Sequence, residues 1–365
     1  MIVRDIRVRG WRNLAEESLA PCQRVTVLFG RNGQGKSNLL EEVYYDITFR
    51  SFRTSSIGDL IGWGGEKAEV EAGITLRGLD RTLRVEIGVG KRRATLDGKM
   101  VRRDSESLQG AGVVIFGPED LRLPKAAAAE RRRAIDRAVF AVRRTYFREA
   151  IDFDKALKAR NGLLRRGGFS RDLLESYDET LARTGARMVV RRRDLVRELA
   201  PIVASVFAEI HGDLLARIRY RSHALVEAAE DEREIEVALR AGLEAERGND
   251  QRKGFTGFGP QTDDLEMLLG DRPAREHGSQ GQIRSLVLSL KIAELRHSEA
   301  RNGETPVLLL DDVASELDQE RRTRLFETIS AMACQTLITV TEREHLPDLP
   351  ERADWYVSGG HIEAA

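Results

Sequence analysis

The stretch from Arg24 to Tyr45, RVTVLFGRNGQGKSNLLEEVYY, limits what this chain can fold into more than any other. RVTVLFG reads as a buried strand, and a helix follows Ser37. Between them GRNGQGKS satisfies G-x-x-x-x-G-K-[ST], in the strand–loop–helix context the pattern requires. Its glycines let backbone N–H groups wrap a β-phosphate, Lys36 can neutralise β- and γ-oxygens, and the Ser37 hydroxyl is placed for Mg²⁺. Gly30, Arg31, Asn32, Gly33, Gln34, Gly35, Lys36, Ser37 and Asn38 are therefore the candidate nucleotide contacts.

An acidic partner lies far downstream. VLLLDD (Val307–Asp312) places four apolar residues, as in a strand buried on both faces, ahead of two carboxylates. Ligands bind at the C-terminal ends of parallel strands. Asp311 is placed to hold Mg²⁺, through water, because Mg²⁺ sheds its waters reluctantly. Asp312 is placed to polarise an attacking water. Alone, LLLDD is a common core strand with two solvated acids; the phosphate loop makes it informative.

The rest of the pattern splits the chain in three. Residues 1–122 read as antiparallel strands around the phosphate-loop helix, with period-two segments at 68–77, 82–89 and 92–97 separated by RGLD, GVGK and DGK turns. Residues 123–265 are mostly helical. One apolar stripe runs through Ile135, Val139, Val142, Tyr146, Ala150, Phe153 and Leu157, and a second from Leu174 to Val206 after RRGGFS. Together they predict a short antiparallel helical arm, its second helix kinked at Pro201. Residues 266–365 alternate helix and strand and complete an α/β head with a parallel sheet. The expectation is an α/β P-loop head, split in sequence by a mostly helical second domain.

Net charge is zero, with 59 basic and 59 acidic residues. This excludes a uniformly basic surface and leaves room for local patches. Two distant cysteines, an N-terminus patterned as a strand, and no long apolar run point to a reduced, soluble, cytoplasmic protein without a membrane partner. None of the six histidines shows metal-ligand spacing.

SQGQ (Ser279–Gln282) opens an amphipathic helix with a glycine in its first turn. Ser279 suits an N-cap, and Gly281 lets an anion approach a helix end that offers free N–H groups. SELD (Ser315–Asp318) reads locally as another cap. The order phosphate loop, helical insert, SQGQ, LLLDD, SELD resembles the ATPase heads of the ABC and SMC/Rad50 class. NGQGKSNLLEEVY, SFR (Ser51–Arg53), FGPEDL, ERRRAID, GPQTDDL, SQGQIRS and LLLDDVASELD together resemble the RecF family of bacterial recombination mediators.

That resemblance implies a function. Two protomers would sandwich two ATP molecules, each phosphate loop facing the other copy's Ser279, Gly281 and Gln282, with Asp318 in the loop crossing the interface. Arg12 and Asn13, in WRN, would lie near the nucleotide. The expected activity is weak ATP hydrolysis coupled to Mg²⁺, to ATP-induced homodimerisation and to gapped duplex or single-strand–double-strand junction DNA. RecO and RecR are the implied partners, and RecA loading the outcome. A structural clamp with ATP as a static ligand is the alternative. A transporter ATPase is disfavoured because the arm replaces the usual short helical subdomain.

The chain also departs from the family. KAAAAERRR replaces a glycine-serine-proline turn, and GPQTDDL lacks the usual basic residue before Asp263 and Asp264. After LITVT no histidine stands at the switch position of transporters, leaving Thr339 or Thr341 as the nearest candidates. In ERRRAIDRAVFAVRRTYFR, Arg133, Arg137 and Arg144 fall off the apolar stripe, which fits either phosphate binding or a solvated salt-bridged face. RRR at 191–193 favours the salt-bridged face.

Overall fold

The computed structural model describes residues 1–102, 106–211, 214–312, 319–332 and 334–365. It divides into two compact units, Met1–Arg122 with Val287–Ala365, and Leu123–Leu286.

The first unit holds two six-stranded sheets. One is antiparallel, in the order β2 (Leu14–Leu19), β1 (Ile2–Trp11), β4 (Lys67–Leu76), β5 (Leu79–Gly88), β6 (Lys91–Leu96), β7 (Lys99–Met100). Its strands alternate because one face is packed and the other wet: in β5, Leu83, Val85 and Ile87 are buried while Glu86 is exposed. The other sheet is ordered β15 (His361–Ala364), β14 (Arg352–Ser358), β3 (Val25–Phe29), β13 (Thr336–Val340), β12 (Val307–Asp311), β8 (Val113–Phe116). All neighbours but β14 and β15 pair in parallel. Its central strands are buried on both faces, and they read as continuous apolar runs for that reason.

β3 comes from the N-terminal segment and lies between two strands of the C-terminal one. Helix α1 (Lys36–Thr48) packs on both sheets, so Leu39 to Thr48 are all buried. Gln335 stitches the sheets together: its amide accepts from Val3 N at 2.7 Å and donates to Val3 O at 2.8 Å and Cys22 O at 2.9 Å.

In the second unit α2 (Ala128–Val142), α3 (Tyr146–Arg166) and α4 (Arg171–His211) are followed by β9 (Ala216–Arg221), α5 (Ala224–Glu227), α6 (Glu232–Lys253), β10 (Asp264–Leu269), β11 (Arg272–Pro273) and α7 (Ala274–His277). Helix α8 (Gln280–Asn302) spans the boundary at Val287, and α9 is Gln319–Ala331. The sequence reading ended its helical segment at residue 265. Antiparallel pairing of β10 with β9 and β11 instead carries 264–273 with the second unit.

The first arm helix was expected to be continuous, and it is broken at Arg143–Thr145, where Arg143 is extended. Three residues out of helix preserve the apolar stripe, so periodicity could not reveal the break. It lets Tyr146 turn back and donate its hydroxyl to Asp136, which also takes two bonds from Arg192 at 2.7 and 2.9 Å. Helix α4 continues through Pro201 without a break.

Three helices meet at Arg160, which is fully buried. Its guanidinium donates to Asp178 on α4 at 2.6 Å and to Asp250 on α6 at 2.7 Å, with Thr256 at 2.8 Å. Arg247 takes the second Asp178 oxygen at 2.8 Å. Replacing Arg160 by Met leaves two buried carboxylates short of their cation. We expect a loss of roughly 3–5 kcal/mol in urea unfolding. A loss below about 1 kcal/mol would show that water reaches these acids.

Candidate functional site

The phosphate loop turns from β3 into α1 through backbone conformations that side chains resist. Gly30 has φ 147°, and a Cβ there would sit 2.3 Å from Val357 O, so β14 passes too close for any other residue. The crest is tied down from two sides. Gln34 O accepts from Gly360 N at 3.0 Å and from the Asn13 side chain at 3.1 Å, and Gln34 Oε1 accepts from Gly359 N at 2.6 Å. Asn38 in turn donates to Asn13 Oδ1 at 2.7 Å. Asn13, drawn from the N-terminal turn, therefore touches the loop directly.

Lys36 is buried and folds back on the loop, donating to Gly30 O at 2.6 Å and Arg31 O at 2.8 Å. Burial holds its ammonium below the usual lysine range, while the charges of Asp312 and Asp311 pull the other way. Ser37 Oγ donates to Asp311 Oδ1 at 2.6 Å, joining the two sequence-distant motifs. The same oxygen accepts from Thr339 Oγ1 at 2.8 Å, and Thr339 Oγ1 accepts from Asp312 N at 2.9 Å. Thr339 is fully buried, and Asp312 has φ 51°, a left-handed conformation rare outside glycine. Thr339, one of two candidates for the switch position, thus bonds both acids of the pair, one through its side chain and one through its backbone.

Ser37 and Asp311 present two oxygens side by side, a donor type and spacing that suit a hard cation such as Mg²⁺. Among the described residues no group of three or more His, Cys, Asp or Glu side chains is placed to hold a metal. A cation here would depend on nucleotide phosphates for the rest of its shell.

Arg12 behaves differently from the expectation of a free nucleotide contact. It has φ 49° and makes two bonds to the fully buried Glu41, one of them at 2.7 Å. Ser51 donates to the same carboxylate, and Arg53 stands 3.6 Å from it while donating to Asn38 Oδ1 at 2.5 Å. Sequence reasoning passed over Glu41, because an acid after LL reads as a solvated helix face. The signal available was SFR, whose serine and arginine both turn to it.

Ser279 caps α8, its Oγ accepting from Gln282 N at 3.2 Å, while Gln282 Oε1 accepts from Ser279 N at 2.9 Å. This reciprocal pair is a capping box. It gives Gln282 a local role that the sequence reading withheld, and leaves Gly281 as the residue the cap does not require. These residues lie in the second unit, and the phosphate loop in the first. Asp318, like the rest of SELD, lies outside the described residues.

GPQTDD is structural. Asp263 is buried and accepts from the Tyr220 hydroxyl, its carboxyl pushed up to about 6 by burial, and Asp264 pairs with Arg131 at 2.6 Å. Of the arginines set aside as phosphate candidates on α2 and after it, Arg144 is 3% exposed, its guanidinium over the Phe140 ring at 5.3 Å. In RRR, Arg191 faces Glu149, Arg192 holds Asp136, and Arg193 donates to Ala229 O and Val226 O.

With this geometry in view, similarity to known proteins narrows the identity. Residues 2–354 match the family described as RecF/RecN/SMC N terminal domain. Aligned over 98% of both chains, this one is 42% identical to the "DNA replication and repair protein RecF" of Anaeromyxobacter dehalogenans strain 2CP-1. The chain belongs to the RecF family. A further member, from Myxococcus xanthus, is 41% identical over 92% of this chain and 90% of its own. The solved structure of the "recombination mediator protein RecF-ATP in RecFOR pathway" superposes with a TM-score of 0.91 at 30% identity, over 100% of this chain and 97% of that one. An Smc head from Pyrococcus furiosus, at 15% identity and TM-score 0.57, shares the fold. The split P-loop head expected from the sequence is therefore the family's architecture.

One feature of α1 bears on its stability. Glu42 and Asp46 sit one turn apart, fully buried, and among the described residues no other group hydrogen-bonds their carboxyls. Burial, with the charge of Asp46 one turn away, drives the Glu42 carboxyl far up, and burial, with the charge of Glu71, pushes Asp46 up to about 8. The unfolded chain releases these protons in the ordinary carboxylate range. Stability contributed by the pair is thus complete at low pH and is lost as pH rises through about 8. Glu42→Gln/Asp46→Asn, which stays neutral, should match the parent near pH 5 and melt higher at pH 8–9. Parallel melting curves across that range would contradict the buried pair's protonation.

Proposed function

We propose that this chain is an ATP-binding, DNA-binding RecF-type mediator that works as an ATP-induced homodimer and hydrolyses ATP slowly. The observation that supports it best is the bond between Ser37 and Asp311, which brings phosphate-loop and acidic-strand chemistry to one point. Lys36 is buried and, among the described residues, donates to two carbonyls, which it can exchange for β- and γ-phosphate oxygens. Mg²⁺ between Ser37 and Asp311 would supply charge neutralisation at the same phosphates. Asp312 is the general base in this reading, orienting water toward the γ-phosphate. Gly30, Asn32, Gly33 and Gly35 contribute backbone contacts, with Arg31, Gln34 and Asn38 beside them, while Asn13 steadies the loop and Arg12 acts through Glu41.

The capped start of α8 supplies the trans half. Ser279 Oγ accepts the Gln282 N–H, and its own hydroxyl proton can be donated to a γ-phosphate oxygen from a second copy, while Gly281 adds no side chain in the way. Asp318 follows in the interface loop. Closure of two heads on gapped duplex or a single-strand–double-strand junction, followed by release on hydrolysis, would couple ATP to DNA. The RecFOR pathway named for the solved relatives makes RecO and RecR the expected partners, with RecA loading as the outcome.

Sedimentation with ATP and Mg²⁺ tests the arrangement. The parent should dimerise, and both Lys36→Met and Ser279→Arg should remain monomeric. Normal dimerisation of Ser279→Arg would remove the trans role. Turnover should rise several-fold with gapped duplex; a rate unchanged by DNA and near zero would favour the static clamp.

A further inference from the structure

Strand β9 forms one edge of the three-stranded sheet in the second unit. Its residues alternate strictly: Ala216, Ile218 and Tyr220 are buried, while Arg217, Arg219 and Arg221 are exposed on the other face, their side chains 55–63% accessible. In a strand of about 3.4 Å rise per residue, three arginines at alternate positions make a cationic row roughly 14 Å long. Two acids answer them. Glu266, on β10 directly across from Arg219, takes Arg219 at 2.6 Å and Arg221 at 3.3 Å, and Asp271, itself 90% exposed, takes Arg217 at 2.8 Å. The third outward position, Asp264 opposite Arg221, is occupied by Arg131. The row is left with more cations than anions, and its ion pairs are solvent-exposed and therefore weak and exchangeable.

We infer that the outward face of β9 is a phosphate-contact surface for DNA, with Arg217, Arg219 and Arg221 contacting the backbone and Glu266 competing with it for Arg219 and Arg221. The inference rests on the DNA-binding reading above and gives it a location; on α2, Arg133 is exposed as well. Arg131, Arg144 and Arg192 are committed to internal contacts, whereas the β9 guanidinia are held only at the surface. Guanidinium forks suit phosphate oxygens, and contacts to backbone carry no sequence preference, as a structure-specific DNA binder requires.

Anisotropy titrations of gapped duplex, in ATP and at several salt concentrations, test the face. They compare the parent, Glu266→Gln, Arg219→Gln and the triple Arg217→Gln/Arg219→Gln/Arg221→Gln, with circular dichroism melting for each. Each lost contact should lower the salt dependence of log K by about 0.9, so the triple variant should lose about 2–3 units of slope and bind at least about tenfold more weakly. Glu266→Gln should bind a few-fold more tightly, the opposite of what loss of a purely structural ion pair would do. If the arginines only keep a bare sheet edge from pairing, the triple variant will aggregate yet bind like the parent, and the inference fails. Equal salt slopes in a folded triple variant, or in Arg219→Gln if the triple does not fold, would overturn it as well. A parent that binds no DNA would overturn the underlying reading together with this one.

Discussion

Everything at the candidate site depends on β3 lying in parallel between β13 and β14. That pairing brings residues about 300 positions apart into register, so that Ser37, in the first turn of α1 beyond the phosphate loop, meets Asp311 at the end of β12. A parallel sheet buried on both faces tolerates no slip, because a shift of one residue would exchange every packed side chain for its neighbour. Ser37, Asp311, Thr339 and the backbone of Asp312 form one bonded chain linking α1, β12 and β13.

The same architecture explains where charge is hidden. Helix α1 is enclosed between two sheets, so its acids cannot be solvated and must be paired or neutral. Glu41 is paired, with Arg12, Arg53 and Ser51 around it, and burial shifts Glu42 and Asp46 upward, toward their protonated forms. The second unit solves the problem with arginine: Arg160, Arg192 and Arg131 each link elements that share no sequence neighbourhood. What remains exposed, β9 above all, is then available for contacts outside the molecule.

The sequence reading was strongest where a local pattern has one physical cause. GRNGQGKS between a strand and a helix, and LLLD as a strand buried on both faces, follow from loop geometry and sheet burial, and both stand as read. It was weaker where periodicity is indifferent to the outcome. The break at Arg143–Thr145 keeps the stripe in phase, and Arg144, off that stripe, is buried by the turn the break creates. Gln282 was read as surplus to the cap although S-x-x-Q is itself a capping box, a local signal that was present and overlooked.

By itself the sequence determined the strand, loop and helix chemistry of the two nucleotide motifs, the split head and the helical insert, because each is written in residue types a few positions apart. Only the tertiary structure showed which charged side chains are fastened inside and by which partners. It gave Arg12 to Glu41, Asp264 to Arg131 and Thr339 to Asp311, and it left the β9 arginines outside. The physical reason is that a charged side chain's role is set by its burial and by the partner that shares it, and both come from contacts between residues tens to hundreds of positions apart.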